Sequence, residues 1–282
     1  MSAKTFWSHS PLQRRLFVLL ALYSTAAHAQ WLNFPTPGIP RSRQGKPNLT
    51  APTPRAGGKP DLSGLWQTDG PPPAVAARLF PNGNGADEIP SQYFINILFD
   101  FAPDEPLVPA AAAALKQRAQ NFAVISPLAR CLPSGLPIVE VVPQPYKIIQ
   151  TPGLIAMLYE RDTTFRQIYT DGRKLPADPQ PSWLGYSVGR WEGDTLAVDT
   201  VGLTDQSWLD ARGHTHSEQL EITERFHRID FGHMDLTVTL ADPKTFTKPV
   251  TITLKQTLRP DTDVLENFCN ENERDVVHMG KP

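Results

Sequence analysis

From Tyr146 to Leu258 the chain is a succession of short runs in which apolar and polar residues alternate. Met234, Leu236, Val238 and Leu240 are apolar, while His233, Asp235, Thr237 and Thr239 between them are polar. Val250, Ile252, Leu254 and Leu258 repeat the pattern against Thr251, Thr253, Lys255 and Thr257. A period of two places one face of a strand against a core and the other in water. Turn dipeptides punctuate the runs: Pro152-Gly153, Asp171-Gly172, Gly193-Asp194 and the stretch Asp230-Phe231-Gly232. The pattern predicts strands over 146–151, 154–160, 164–170, 183–191, 195–201, 218–229, 233–240, 250–258 and 264–269, preceded by an opening strand at Gly64-Leu65-Trp66.

Short connections force antiparallel neighbours, because parallel strands need crossovers of about a dozen residues or more. The fold class expected is mainly β, an antiparallel up-and-down meander. Such a sheet removes its open edges by curling shut, so a lipocalin-like barrel is expected, with a β-sandwich as the alternative. Helical character is confined to about 91–123. There Pro109 precedes Ala110–Ala114, Leu115, Lys116, Gln117 and Arg118, a helix with proline in its first turn. Residues 91–100 suit either a short helix or a buried strand, and the proline-rich 126–145 reads as a crossing loop.

The N-terminus is organised differently. Lys4, Arg14 and Arg15 precede an apolar run from Leu16 to Leu22 that fades into Ala27-His28-Ala29. That order is a signal peptide, 1–29, cut near Ala29, which implies a periplasmic or secreted product. The run is too short to span a bilayer, and no later stretch is long enough, so no membrane span is expected in the mature chain. Residues 30–60 are rich in proline and are expected to form a poorly ordered leader ahead of one domain over 61–282.

The 282 residues carry 27 Lys+Arg against 29 Asp+Glu. Cleavage removes three of the bases and leaves a mildly acidic protein with no basic patch, which argues against a nucleic-acid partner. The 29 prolines exclude a long-helix architecture. In an oxidising compartment the two cysteines, Cys131 and Cys269, are expected to form a structural disulfide. A catalytic thiol or a metal ligand is the other reading.

Gly64-Leu65-Trp66 and Gly189-Arg190-Trp191 resemble the barrel-base tryptophan pattern of calycin folds, the lipocalin-like barrels. The segments Phe165–Tyr169, Trp191–Leu196, Glu224–Phe226 and Gly232–Asp235 resemble a widespread family of exported bacterial proteins. That second resemblance implies export and a β-rich fold, and no reaction.

Candidate chemistry gathers in the loop from Gly202 to Ser217 and the strand after it. Leu220, Ile222, Glu224 and Phe226 share parity, so Glu224 is expected among the inward apolar side chains. If the strand runs backward in phase, His214 and His216 join it. Glu224 with either histidine would be an acid–base pair, with Asp210 as a second acid at the mouth. The alternative is a structural Glu224 bridged to an arginine. Trp208, Trp183 and Tyr186 could stack on an apolar or aromatic ligand, although aromatics at such spacings also serve as core.

His214-x-His216 followed by Glu221 partly matches the first metal motif of cupins, with His233 as a further ligand, which would take Zn or Fe. Without that site no cofactor is expected. No nucleophile elbow, phosphate-cradling loop or dinucleotide fingerprint is present. The leading functional expectation is an exported enzyme doing metal-free acid–base chemistry (lyase, hydratase, isomerase or hydrolase) on a small molecule in a barrel cavity. A non-catalytic ligand carrier and a metal-dependent cupin-like enzyme are the alternatives.

Overall fold

The computed structural model describes residues 35–81, 90–120 and 126–269. The expected signal peptide lies outside them. Among the described residues eleven strands occur: β1 (Arg55–Ala56), β2 (Lys59–Pro60), β3 (Gly64–Thr68), β4 (Tyr146–Thr151), β5 (Leu154–Tyr159), β6 (Thr164–Tyr169), β7 (Tyr186–Glu192), β8 (Thr195–Val201), β9 (Glu221–Arg228), β10 (His233–Ala241) and β11 (Val250–Leu258). The last nine close into a barrel in chain order, β11 pairing with β3 through Gln256↔Thr68 and Leu258↔Trp66. The alternating pattern of burial along β10 is the inside–outside alternation written in its residues.

Two details depart from a plain antiparallel meander. β6 and β7 are parallel and pair at Ile168↔Ser187 and Tyr169↔Val188, because residues 170–185 carry the chain back along the barrel before β7 begins. Residues 264–269, expected to be a strand, form none; they run along the outside, where Asn267 N–H donates to Thr163 Oγ1 at 2.9 Å.

Among the described residues four α-helices lie in the connections between barrel strands: α1 (Pro73–Leu79), α2 (Gln92–Ile95), α3 (Pro109–Arg118) and α4 (Ile138–Val141). The expected helix at 109–118 is α3. Within 91–100 the chain forms the short helix α2, its start capped by Ser91 accepting from Tyr93 N–H, and after an extended Asn96 it turns into a 3-10 helix at Phe99–Phe101. The crossing loop 126–145 contains α4, all four residues of which are buried. Leu136, Val139, Ile97, Leu98 and Leu209 add their side chains to the barrel core there, so the end expected to be an open mouth is packed.

At the opposite end Trp66 is fully buried, its indole N–H donating to Leu62 O at 2.8 Å, with the Arg228 guanidinium 4.9 Å from its ring centre. Gly64 approaches Leu258 so closely that a Cβ would sit 2.5 Å from Leu258 Cδ1, and its φ of +147° suits glycine. Gly64-Leu65-Trp66 therefore lies at the seam where β3 meets β11 and closes the barrel.

Residues 35–60, expected to be a poorly ordered leader, instead lie against this end, the base of the barrel. Thr36 and Asp261 exchange hydrogen bonds of 2.9 Å, Arg41 pairs with Asp261, and the amides of Phe231 and Gly232 donate to Ala51 O and Leu49 O. Proline density deprives the segment of ladder donors without depriving it of docking contacts. Cys131 and Cys269 form a disulfide across a separation of 138 residues.

Candidate functional site

Glu224 enters the barrel interior as its parity predicts, fully buried between Ile222 and Phe226. Its partner is an arginine. Arg166, inward on β6, donates from Nη1 to Glu224 Oε1 at 2.9 Å and from Nη2 to Oε2. Arg166 also reaches Ser187 Oγ at 2.9 Å, Thr200 Oγ1 at 2.8 Å and Glu140 Oε1 at 3.2 Å, so every guanidinium nitrogen has an acceptor. Tyr159 OH donates to Glu140 Oε1 at 3.0 Å. A bidentate fork of this kind is among the stronger charge-assisted contacts.

One guanidinium faces two carboxyls. Burial first, and the charge of Glu224 second, push the Glu140 carboxyl well above its ordinary range, which favours its protonated form. Burial works against the Arg166 charge, but Glu224 outweighs it and holds the guanidinium above its usual pKa. Burial likewise raises the phenols of Tyr146 and Tyr159, which stay neutral. Glu140 Oε2, Tyr146 OH and Gln256 Oε1 are buried without a hydrogen-bond partner among the described residues.

The expected pairing of Glu224 with an imidazole is not formed. β9 begins at Glu221, and Leu220 N–H closing on Ser217 O makes a turn, so His214 and His216 are not on its inward face. Asp210 instead organises the loop. Its Oδ1 accepts from the amides of Arg212, Gly213 and His214, and its Oδ2 accepts from Ile97 N–H at 2.7 Å and lies 2.6 Å from His214 Nδ1.

His214 Nε2 lies 3.6 Å from Glu105 Oε2. His216 Nδ1 is 3.0 Å from Ser217 O, a pure acceptor, so that nitrogen carries the hydrogen and Nε2 accepts from Ser207 Oγ at 2.9 Å. Burial lowers the pKa of His216 and keeps it neutral. Asp210 thus ties the buried loop to Ile97 just beyond α2, Ala211 N–H donates to Phe94 O within α2, and His214 and His216 are bonded inside the loop itself.

The alternative metal set does not assemble. Glu221 is exposed at the start of β9, and His233 sits at the other end of the barrel, 2.7 Å from Asp230. Among the described residues no three or more His, Cys, Asp or Glu side chains are grouped to hold a metal ion.

The predicted aromatic residues divide. Trp208 is buried against Ile138 and Val142. Trp183 and Tyr186 line a cleft of about 430 Å3 beside β6, together with Phe165, Arg166, Gln167 and Tyr169. The cleft exists because β6 and β7 pair only toward the far end of β6, which leaves the wall parted along 164–167. Tyr169 and Tyr186 lie 5.2 Å apart, Arg173 covers Tyr169 at 3.7 Å, and Phe165 is 65% exposed. Arg166 is thus part of the cleft lining along β6, while its buried guanidinium binds the Glu224 carboxylate inside the barrel.

Two residues of this arrangement were not singled out in the sequence. Arg166 shares parity with Ile168, a signal for an inward cation opposite Glu224. Glu140 had none, lying in a proline-rich stretch without periodicity.

Comparison of the chain with protein-family models, with curated proteins and with solved structures returned no match.

Proposed function

We propose that this is an exported protein, periplasmic or secreted, that binds a small ring-bearing molecule in the cleft beside β6, with Trp183 and Tyr186 as stacking faces. The observation that carries the reading is the parted wall between β6 and β7, which exposes an aromatic-lined recess of ligand size next to the polar barrel interior. Carriage is favoured over acid–base catalysis because Glu224 is occupied by Arg166, and His214 and His216 by their own loop. Export is supported by the basic-then-apolar N-terminus and by the disulfide.

A naphthalene-type fluorescent probe tests the reading. Saturable binding is expected, with Trp183→Ala weakening it by about tenfold or more, roughly 1.4 kcal/mol or above, while the circular dichroism is unchanged. Equal binding by the variant removes the cleft as the site. A second reading draws on Glu140, a protonated carboxyl with one oxygen unpartnered. Turnover of the bound compound, lost in Glu140→Gln with binding intact, would replace the carrier by a general-acid enzyme.

A further inference from the structure

The barrel base holds another cavity, of about 490 Å3, separate from the cleft beside β6. Its apolar wall comes from Ile39, Leu65, Phe231 and Leu258, with Pro37 and Pro54, so the docked leader builds one side of it. Arg228 is part of the lining. Its guanidinium donates to the backbone carbonyls of Asp61, Ser63, Asp230 and Phe231 and lies over the rings of Trp66 and Phe231.

Carbonyl dipoles solvate a cation without cancelling its charge, and Arg228 makes no ion pair among the described residues. Burial brings its pKa down to about 10, which leaves it charged at neutral pH. The remaining charged lining groups are Lys147, Asp263, Asp61 and Arg259. Lys147 and Asp263 neutralise one another at 2.8 Å, and Asp61 Oδ1 accepts from Ser63 N–H. Arg259 is exposed and has no ion-pair partner among the described residues. Cations therefore outnumber carboxylates around an apolar recess, and of the two arginines without an ion pair Arg228 is buried under backbone carbonyls while Arg259 is exposed.

We propose that this cavity binds an amphipathic monoanion, a medium-chain fatty carboxylate, with its chain among Ile39, Leu65, Phe231 and Leu258 and its head group at Arg259. Apolar burial supplies the affinity and the excess positive charge selects the head group. The inference is independent of the cleft and of any ligand bound there.

Calorimetric titration of the purified protein with decanoate, decanol and decyltrimethylammonium tests it. One equivalent of decanoate is expected to bind saturably, about tenfold or more tighter than decanol, with no binding of the cation. Arg259→Glu should abolish the preference for decanoate while leaving decanol binding unchanged. Ile39→Trp, in the leader and packed against the core from the cavity side, should fill the recess and weaken both by about tenfold or more, with circular dichroism unchanged. Trp183→Ala should leave all titrations unchanged. Absence of saturable decanoate binding, equal affinity for decanol, or indifference to Ile39→Trp would each overturn the proposal.

Discussion

Glu224 and Arg166 show what parity can and cannot reveal about a single side chain. That Glu224 turns inward follows from Ile222 and Phe226 on either side of it. What it meets there depends on β6, two strands and a sheet junction away across the barrel, and no local pattern carries that information. The imidazole partner failed because a turn at 217–220 broke the phase that would have carried His216 inward. Removing one member of a buried pair leaves the other uncompensated. Glu224→Ala is therefore expected to cost about 3–5 kcal/mol in urea unfolding. Arg166→Met with Glu224→Leu should recover much of that loss, since an apolar pair leaves no stranded charge.

At the scale of elements, strands were legible and short helices were not. β4, β8, β10 and β11 announce themselves by alternation and by their turn residues, whereas α4 has four residues, too few for a helical period to register. The parallel β6–β7 pair was foreshadowed only by the length of the 170–185 connection, which exceeds what a hairpin needs.

α4 inserts Glu140 beside Arg166, and this gives the element a pH signature. Glu140 holds its proton more tightly in the fold than in the unfolded chain, where it titrates near 4.5. Its contribution to stability is complete below that pH and declines as pH rises toward the raised folded value. His216, lowered from 6.5, acts in the opposite sense: its contribution is present above 6.5 and is lost as pH falls toward the folded value. The difference between the parent and Glu140→Gln isolates the carboxyl. Urea midpoints from about pH 5 to 8 should fall more steeply with pH in the parent than in the variant.

For the whole molecule, the barrel was visible in the sequence as a count of strands with one wet face, and its opening strand as Gly64-Leu65-Trp66. The filling of the end opposite Trp66 was not, because the plug is assembled from α2, α4 and the 205–217 loop, segments far apart in sequence. Cys131 and Cys269 join two such distant segments. A loop of 138 residues gives the link a stabilisation of about 5 kcal/mol in the chain-entropy account, so the Cys131→Ala, Cys269→Ala double variant should lose up to that amount in urea unfolding. If the proposed export holds, intact mass of the protein recovered from outside the cytoplasm should show the same two cysteines joined and a chain starting at Gln30.

The ring of strands is joined by β3 and β11, and Thr36 and Arg41, well ahead of β3, clasp Asp261 just beyond β11. A polypeptide delivered head first can pair its hairpins as they emerge, yet β3 must wait, its second edge vacant, until nearly two hundred later residues have arrived. The ring is thus completed by its own first and last strands, and an N-terminal fragment that stops short of β11 leaves the barrel open.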